Sequence, residues 1–231
     1  MNRWDLKMGA GGTEEIQQQI VAHGKYAWHV HSTGARGDFA MILTKSAPPS
    51  LQGAGPVFGR AYLHTTPNKN PHVELGFAES AGYPNLNYME FAECGGGSWQ
   101  LGFDLFTPAP SVAKGFVEEA SYTHPGGQQI PVMKWSCIEW EFGDDPDLMV
   151  LWVDGQQIGQ FDVQHMDYSS VPKTASSALN GKSSNIIGGF SVFGLGFHDW
   201  GSANSFDLYY DDLVLDSHRV GCLSGGGPSG G

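Results

Sequence analysis

Aromatic, histidine and carboxylate side chains recur through the first half of this chain, with one further tryptophan near its end. Sugar-binding sites need these types, because aromatic faces cover the apolar C–H face of a sugar ring and polar side chains bind its hydroxyl rim. The candidates of these types are Tyr88, Glu90, Trp99, Asp104, His72, His64 and Trp200. Each aromatic has a second interpretation, since Trp and Tyr belong to a core more often than to a site. The pattern predicts a carbohydrate cleft but identifies no reaction.

The pair His29 and His31 is a second candidate site. Residues two apart in a strand share a face, so both imidazoles could reach one metal ion. A catalytic zinc has three protein ligands, and this pair supplies two. The alternative is that both are polar residues on the outer face of a half-buried strand. We expect the purified protein to hold no stoichiometric transition metal.

Acidic residues could also form a glycosidase pair. Glu139 and Glu141 share a strand face, and Glu90 is a third candidate. Retaining enzymes hold two carboxyl groups about 5 Å apart, and inverting enzymes hold them about 6.5–9.5 Å apart. Nothing in the sequence fixes this pair against a groove. No G-x-S-x-G motif lies between a predicted strand and a helix, and the chain has no phosphate-binding P-loop, which argues against those two enzyme classes.

The elements that must position these residues alternate with a period of two. Apolar residues alternate with polar ones, or form short runs, between clusters of Gly, Pro, Asn and Asp. The predicted strands cover residues 26–31, 39–43, 57–64, 72–77, 87–92, 99–106, 133–142, 148–153, 157–163, 187–197 and 206–215. Asp154-Gly155 predicts a tight hairpin turn, and only residues 11–22 could be helical. Many short strands without helices predict an all-β sandwich.

Composition narrows the partners. The chain has 231 residues, with 33 Gly, 13 Pro and a formal net charge of −12. That charge argues against nucleic acid and an anionic membrane surface as partners, and it disfavours a polyanionic glycan more mildly. No run of 18 apolar residues occurs. We expect a monomer that contacts neither nucleic acid nor membrane.

The cysteines and the terminal residues predict export. A bridge between Cys137 and Cys222 would close a long loop; the alternative is that these two and Cys94 are free buried thiols. Residues 1–222 form one predicted domain, and residues 223–231 read as a flexible Gly/Ser/Pro tail that either leads to a second module or is a cloning remnant. The first residues lack the apolar stretch of a signal peptide, so we interpret the start as a processed terminus of a secreted protein.

Three segments resemble one family. Residues 134–140 contain W-x-C-x-E-W, residues 151–155 contain W-x-D-G, and residues 210–222 contain D-D followed by R-V-G-C. Together they resemble the Cip-one-like proteins, secreted jelly-roll proteins of cellulolytic fungi and of bacteria that are similar to glucuronan lyases. The resemblance implies a concanavalin-like jelly-roll sandwich of two antiparallel sheets. It also implies the bridge Cys137–Cys222 and a structural calcium ion bound by Asp211. The first 25 residues match the family poorly, and its other calcium ligands do not map onto this chain.

The resemblance also implies a lyase-like cleft, with one departure. The strand that carries His-x-Arg in the lyases aligns with Tyr88-Met89-Glu90, so an acid replaces the arginine. β-Elimination builds charge on the uronate carboxylate, which that arginine would neutralise. Arg60 or Lys134 would have to replace it, with Tyr88 as base and His72 as its partner. We therefore expect a secreted domain that holds a polysaccharide in its cleft, with a polysaccharide lyase as the alternative and a metal-binding domain at His29 and His31 as the second.

Overall fold

Two seven-stranded antiparallel sheets make up the fold in the computed structural model, which describes residues 4–44, 56–69, 71–80, 87–108, 116–123, 128–143, 148–162, 190–202 and 204–223. The strands are β1 (Trp4–Gly9), β2 (Thr13–Gln17), β3 (Ala27–Ser32), β4 (Phe39–Thr44), β5 (Val57–Thr65), β6 (His72–Ser80), β7 (Asn87–Cys94), β8 (Ser98–Pro108), β9 (Phe116–Thr123), β10 (Ser136–Phe142), β11 (Leu148–Val153), β12 (Gln156–Asp162), β13 (Phe190–Asp199) and β14 (Phe206–Asp216).

The strand order identifies the architecture. Sheet A has the order β1-β4-β13-β6-β7-β8-β9, and sheet B has the order β12-β11-β10-β5-β14-β3-β2. Strands distant in sequence lie side by side, as in a jelly roll, and the predicted fold class is confirmed. The described residues contain no helix long and apolar enough to cross a membrane.

The core forms where the apolar faces of the two sheets meet. Phe91 of sheet A lies 5.1 Å, ring to ring, from Trp140 of sheet B, and Phe193 of sheet A stacks on Trp140 at 5.3 Å. Gly59 lies beneath the Trp140 ring, where a Cβ atom would stand 2.0 Å from a ring carbon. The alternation seen in the sequence therefore separates a core face from an outer face on each strand. We call the face turned away from the core the outer face of its sheet.

Two local predictions have opposite outcomes. The Asp154-Gly155 turn is confirmed: both residues have positive φ, 50° and 80°, as a type I′ hairpin requires. The helix over residues 11–22 is wrong, because Thr13–Gln17 form β2 and pair with β3. Gln17 ends that strand: its Oε1 accepts the N–H groups of Gln19 and Ile20.

The C-terminal segment is fastened to the outer face of sheet B. The predicted disulfide between Cys137 and Cys222 is present and spans 85 residues. Beside it, Arg219 donates to both carboxylate oxygens of Glu139 at 3.0 and 2.8 Å and lies 4.4 Å above the Trp152 ring. These contacts hold the chain as far as residue 223. The predicted tail beyond that point, residues 224–231, lies outside the described residues.

Candidate functional site

The predicted site residues fall on three different surfaces. On β7, Met89 and Phe91 are in the core, so the register places Tyr88 and Glu90 on the outer face of sheet A. Asp104 is directly opposite Tyr88 on β8. His72 is on the same outer face at the start of β6. Four of the predicted residues therefore share this face.

The register separates His72 from Tyr88. His72 pairs with Cys94 of β7, and Tyr88 of β7 pairs with Glu79, so the two pairing positions are six residues apart on β7. At the rise of a β-strand this is about 20 Å. This backbone separation argues against the prediction that His72 assists Tyr88 as an acid or base.

A row of polar residues crosses the middle of this outer face. His198 pairs with Glu74, Glu74 pairs with Ala92, and Ala92 pairs with Gln100, so the row runs across four neighbouring strands. Glu74 and Gln100 are each only 3% exposed, and Glu90, one register position along the face, is 5% exposed. Polar side chains on an outer face are ordinarily solvated. These three are buried instead, so this part of the face is withdrawn from water.

Gln100 is the polar group in this row that calls for a partner. Within the described part of the chain, its Nε2 is buried and has no hydrogen-bond partner. A buried donor left without an acceptor costs about 1–3 kcal/mol. A ligand oxygen that accepted this N–H would recover that free energy.

At one end, the face opens towards solvent and carries aromatic rings. Trp200 is 41% exposed, and its ring lies 4.0 Å from the ring of His198. The Trp200 backbone N–H donates to the carbonyl of the exposed His72, which fixes the tryptophan beside β6. This ring is the exposed flat surface that a sugar ring requires.

The histidines of this end are poor cations. Burial lowers the pKa of His198, against an opposing effect of the Asp199 carboxylate. Burial and the positive charge of Arg36 lower the pKa of His72, and Asp199 again opposes this. Both rings are therefore neutral at neutral pH. Strands β6, β7 and β8 contain no Lys or Arg, so acids determine the charge of the face that they form.

Three predicted ligand contacts are corrected by the structure. Trp99 is 1% exposed and packs in the core near Phe91, because its strand position faces sheet B. Arg60 and His64 lie on the outer face of sheet B, on the opposite side of the molecule, since Ala61 and Leu63 of the same strand face the core. Arg60 donates to the carbonyls of Asp212 and Gly221, so its role there is structural.

The predicted glycosidase pair has a structural role for one member. Glu139 is 1% exposed and accepts two bonds from Arg219 and one from the Gly221 N–H. Its carboxylate is fully engaged in holding the C-terminal segment. Burial raises the pKa of Glu141 on the same face. Because Glu139 has no room for a sugar oxygen, these two residues do not form a catalytic pair.

The histidine pair surrounds a carboxylate. His29 Nε2 and His31 Nδ1 each lie 2.9 Å from the same oxygen, Oδ1 of Asp207, and His29 Nδ1 lies 3.0 Å from Glu15. A metal would have to occupy the place that this oxygen holds. Among the described residues, the group whose His, Cys or acidic ligand atoms converge is Cys137, Glu139 and Cys222, and its two sulfurs form the disulfide.

The calcium ion predicted at Asp211 stays a prediction, and the described contacts of this carboxylate are with backbone donors. Calcium is bound by six to eight oxygens. Here Oδ2 accepts the backbone N–H groups of Ala22 and His23, and Oδ1 accepts that of Asp212. These donors satisfy the carboxylate as a cation would. The Asp212 carboxylate is itself 2.7 Å from His23.

Sequence reasoning missed Gln100, Glu74 and His198 as parts of the site. Alternation within each strand is the local signal that could have found them, because it puts each on an outer face. Only the strand pairing shows that they form one row. Strand register has no signal in single residues, and the pairing of β13 with β6 joins segments far apart in the sequence.

Comparisons with known proteins locate the fold. No family model and no curated protein matches the chain. A structure described as cellulose induced protein, Cip1, has a TM-score of 0.61 at 14% identity, over 96% of this chain and 94% of that one. The endo-β-1,4-glucuronan lyase of the fungus Trichoderma reesei also has a TM-score of 0.61, at 10% identity, over 94% of this chain and 92% of that one. The chain thus has the jelly-roll fold of Cip1 and of this lyase, and the fold that its sequence resemblance predicted is confirmed.

Proposed function

We propose that this protein is an extracellular domain that binds a neutral polysaccharide along the outer face of sheet A. The observation that carries the proposal is the buried Nε2 of Gln100, which has no acceptor among the described residues and lies in a polar row withdrawn from water. Sugar hydroxyl oxygens are acceptors that can enter such a row. The fold supports the proposal, since it is shared with a cellulose-induced protein and a glucuronan lyase.

The charge of the face favours a neutral chain. Glu74 and Glu90 lie on it, and β6, β7 and β8 carry no Lys or Arg. An anionic polymer would place its carboxylates against these acids, and no Lys or Arg of these three strands could pair with them. The net charge of −12 acts in the same direction.

The positions of Trp200 and Gln100 indicate the direction in which a polysaccharide would lie on this face. Trp200 offers an exposed ring at one end of the row, and Gln100 lies at the other, three strands away. Neighbouring strands are about 4.8 Å apart, so the row extends about 14 Å. A linear polysaccharide crossing the strands would stack one sugar on Trp200 and reach Gln100 with a later one.

An extracellular location accords with the disulfide between Cys137 and Cys222, because such bonds persist in oxidising compartments. A polysaccharide is also a partner found outside cells. We therefore propose secretion together with the binding function. Recovery of the native protein from the cell interior with both of these thiols reduced would contradict it.

Affinity electrophoresis tests the proposal. The protein is run through gels that contain a neutral polysaccharide, such as cellulose derivatives, xyloglucan, mixed-linkage glucan or mannan, or a polyuronate, such as glucuronan or alginate. We expect retardation by at least one neutral polymer and none by the polyuronates. Retardation by polyuronates alone would contradict the proposal.

The same polymers test the lyase alternative. The products of β-elimination carry a double bond that absorbs ultraviolet light, so absorbance is followed with each polyuronate. We expect no increase, because no Lys or Arg in β6–β8 can neutralise the uronate carboxylate. An increase that is lost in Tyr88→Phe would establish the lyase instead.

A further inference from the structure

A cavity lies at the open edge of the sandwich, apart from the polysaccharide site proposed on the outer face of sheet A. It has a volume of about 430 Å³. Its walls come from the edge strands β1 and β2, from β3 and β4 beside them, and from the bulged part of β14. Its aromatic and acidic lining residues include Trp4, Glu14, Tyr26, Trp28, Asp211 and Asp212. None of them belongs to the proposed polysaccharide site.

The walls of this cavity are apolar and partly open to solvent. Trp4 and Trp28 line it, and Trp28 lies 5.7 Å from Tyr210. Around the mouth, Ile16 is 63% exposed, Tyr26 is 56% exposed and Leu6 is 42% exposed. Large apolar side chains gathered at an opening indicate a binding surface more often than isolated ones do.

Two aromatic donors of the cavity are already used. The indole N–H of Trp28 donates to Oε2 of Glu14 at 3.0 Å, and the Tyr210 hydroxyl donates to the Gly196 carbonyl at 2.6 Å. A sugar or an anion needs donors from its site, and these two groups cannot supply them.

The charge of the cavity is negative. Glu14, Asp211 and Asp212 all line it. Asp212 faces His23, and Asp211 accepts three backbone N–H groups, but neither Asp211 nor Glu14 has a cationic side chain within ion-pair distance among the described residues. Glu14 is bonded to the N–H edge of the Trp28 ring, so a carboxylate and an aromatic ring lie side by side in the cavity.

We propose that this cavity binds a small organic cation, an alkylated ammonium with an apolar body. Aromatic faces attract a cation within about 6 Å of the ring centre, and alkylated ammonium groups are bound by such rings. A carboxylate adds a charge contact, and the aliphatic walls take up the alkyl groups. An alkylated ammonium needs no donor from its site, which matches a cavity in which the donors of Trp28 and Tyr210 are used.

Choline tests this proposal against two matched compounds. The alcohol 3,3-dimethylbutan-1-ol has the same shape without the charge, and 3,3-dimethylbutanoate reverses the charge. Tryptophan fluorescence and calorimetry follow each titration of the full chain. We expect saturable binding of choline and at least about tenfold weaker binding of the alcohol and the anion. Equal binding of the alcohol, or no saturable response to choline, would overturn the proposal.

Two variants locate the binding. Glu14→Gln keeps an acceptor for the Trp28 N–H but removes the charge, and we expect it to weaken choline binding about tenfold. Tyr26→Ala removes an exposed ring and should weaken binding several-fold. Trp200→Ala is the matched aromatic control on the polysaccharide face and should leave choline binding unchanged. Unchanged binding in Glu14→Gln would place the cation elsewhere and overturn the assignment.

Phosphatidylcholine vesicles present the same ammonium on a surface. We expect no co-sedimentation, because the cavity is assigned to a free cation. Co-sedimentation that is lost in Glu14→Gln would overturn that part of the assignment. Polysaccharide binding is unaffected by either result, so the two proposals fail or succeed separately.

Discussion

The ring of His198 lies 4.0 Å from the ring of Trp200, at the solvent-exposed end of a row that continues through Glu74 to Gln100. Because burial keeps the pKa of His198 low, the pair is a neutral aromatic surface at neutral pH. A sugar ring can stack on it without the cost of removing a charge from water.

Replacing Trp200 should therefore weaken polysaccharide binding. We expect Trp200→Ala to reduce affinity about tenfold through loss of the stacking surface, with little change in melting temperature, because the ring is 41% exposed. Tyr26→Ala removes a comparably exposed ring from the other cavity and should bind the polysaccharide as the parent does. Equal affinity of the Trp200 variant would exclude this ring from the site.

The stability of the protein should fall as the pH rises through the pKa of Glu93. Burial, together with the smaller effect of the Asp199 carboxylate, raises the pKa of this carboxyl to about 7. The folded state thus holds the proton more tightly than the unfolded chain, whose carboxyl has its ordinary pKa of 4.5. The contribution of Glu93 to the free energy of unfolding is therefore complete below pH 4.5 and is lost as the pH rises through about 7. The loss is about 3 kcal/mol at most.

Urea unfolding of Glu93→Gln measures that contribution. The variant cannot ionise, so the difference in free energy of unfolding between variant and parent should grow in favour of the variant from pH 4.5 to 7. A difference that stays constant over this interval would show that Glu93 keeps an ordinary pKa.

The disulfide should be a large part of the stability of the domain. Cys137 and Cys222 close a loop of 85 residues, for which chain entropy gives about 4 kcal/mol. The double variant Cys137→Ser, Cys222→Ser should unfold at a correspondingly lower urea concentration. Cys94→Ser, at a half-buried free thiol, is the control and should cost much less. Equal losses in the two variants would contradict the role given to the bridge.

Chelation should leave the protein unchanged. Backbone N–H groups occupy the carboxylate of Asp211, and His29 and His31 both contact Asp207 instead of converging on an open position. We expect neither calcium nor a chelator to shift the melting temperature, and elemental analysis to find no stoichiometric zinc or copper. A chelator-induced fall that Asp211→Asn abolishes would restore the calcium site implied by the family resemblance.

The fold was predictable from the sequence because its signals are local. Alternation sets which face of a strand is buried, and Asp154-Gly155 fixes a hairpin by its own backbone preference. The site was predictable only in part, because it depends on which strands pair. Tyr88 and Asp104 are directly opposite each other in the sheet, whereas His72 lies far along it and Trp99 faces the core. The register between β6, β7 and β8 decides the first two outcomes, and the side of β8 that faces sheet B decides the third. Single residues do not encode either one.

Nuclear magnetic resonance of the labelled protein, titrated with an oligosaccharide of a neutral polymer that it binds, tests the central claim most directly. The account predicts that the side-chain amide of Gln100 and the indole N–H of Trp200 shift together and saturate. The indole N–H resonance of Trp135, which lies beside His64 on the outer face of sheet B, should not shift. Shifts confined to Trp135 and its neighbours, with Gln100 and Trp200 unmoved, would contradict the account.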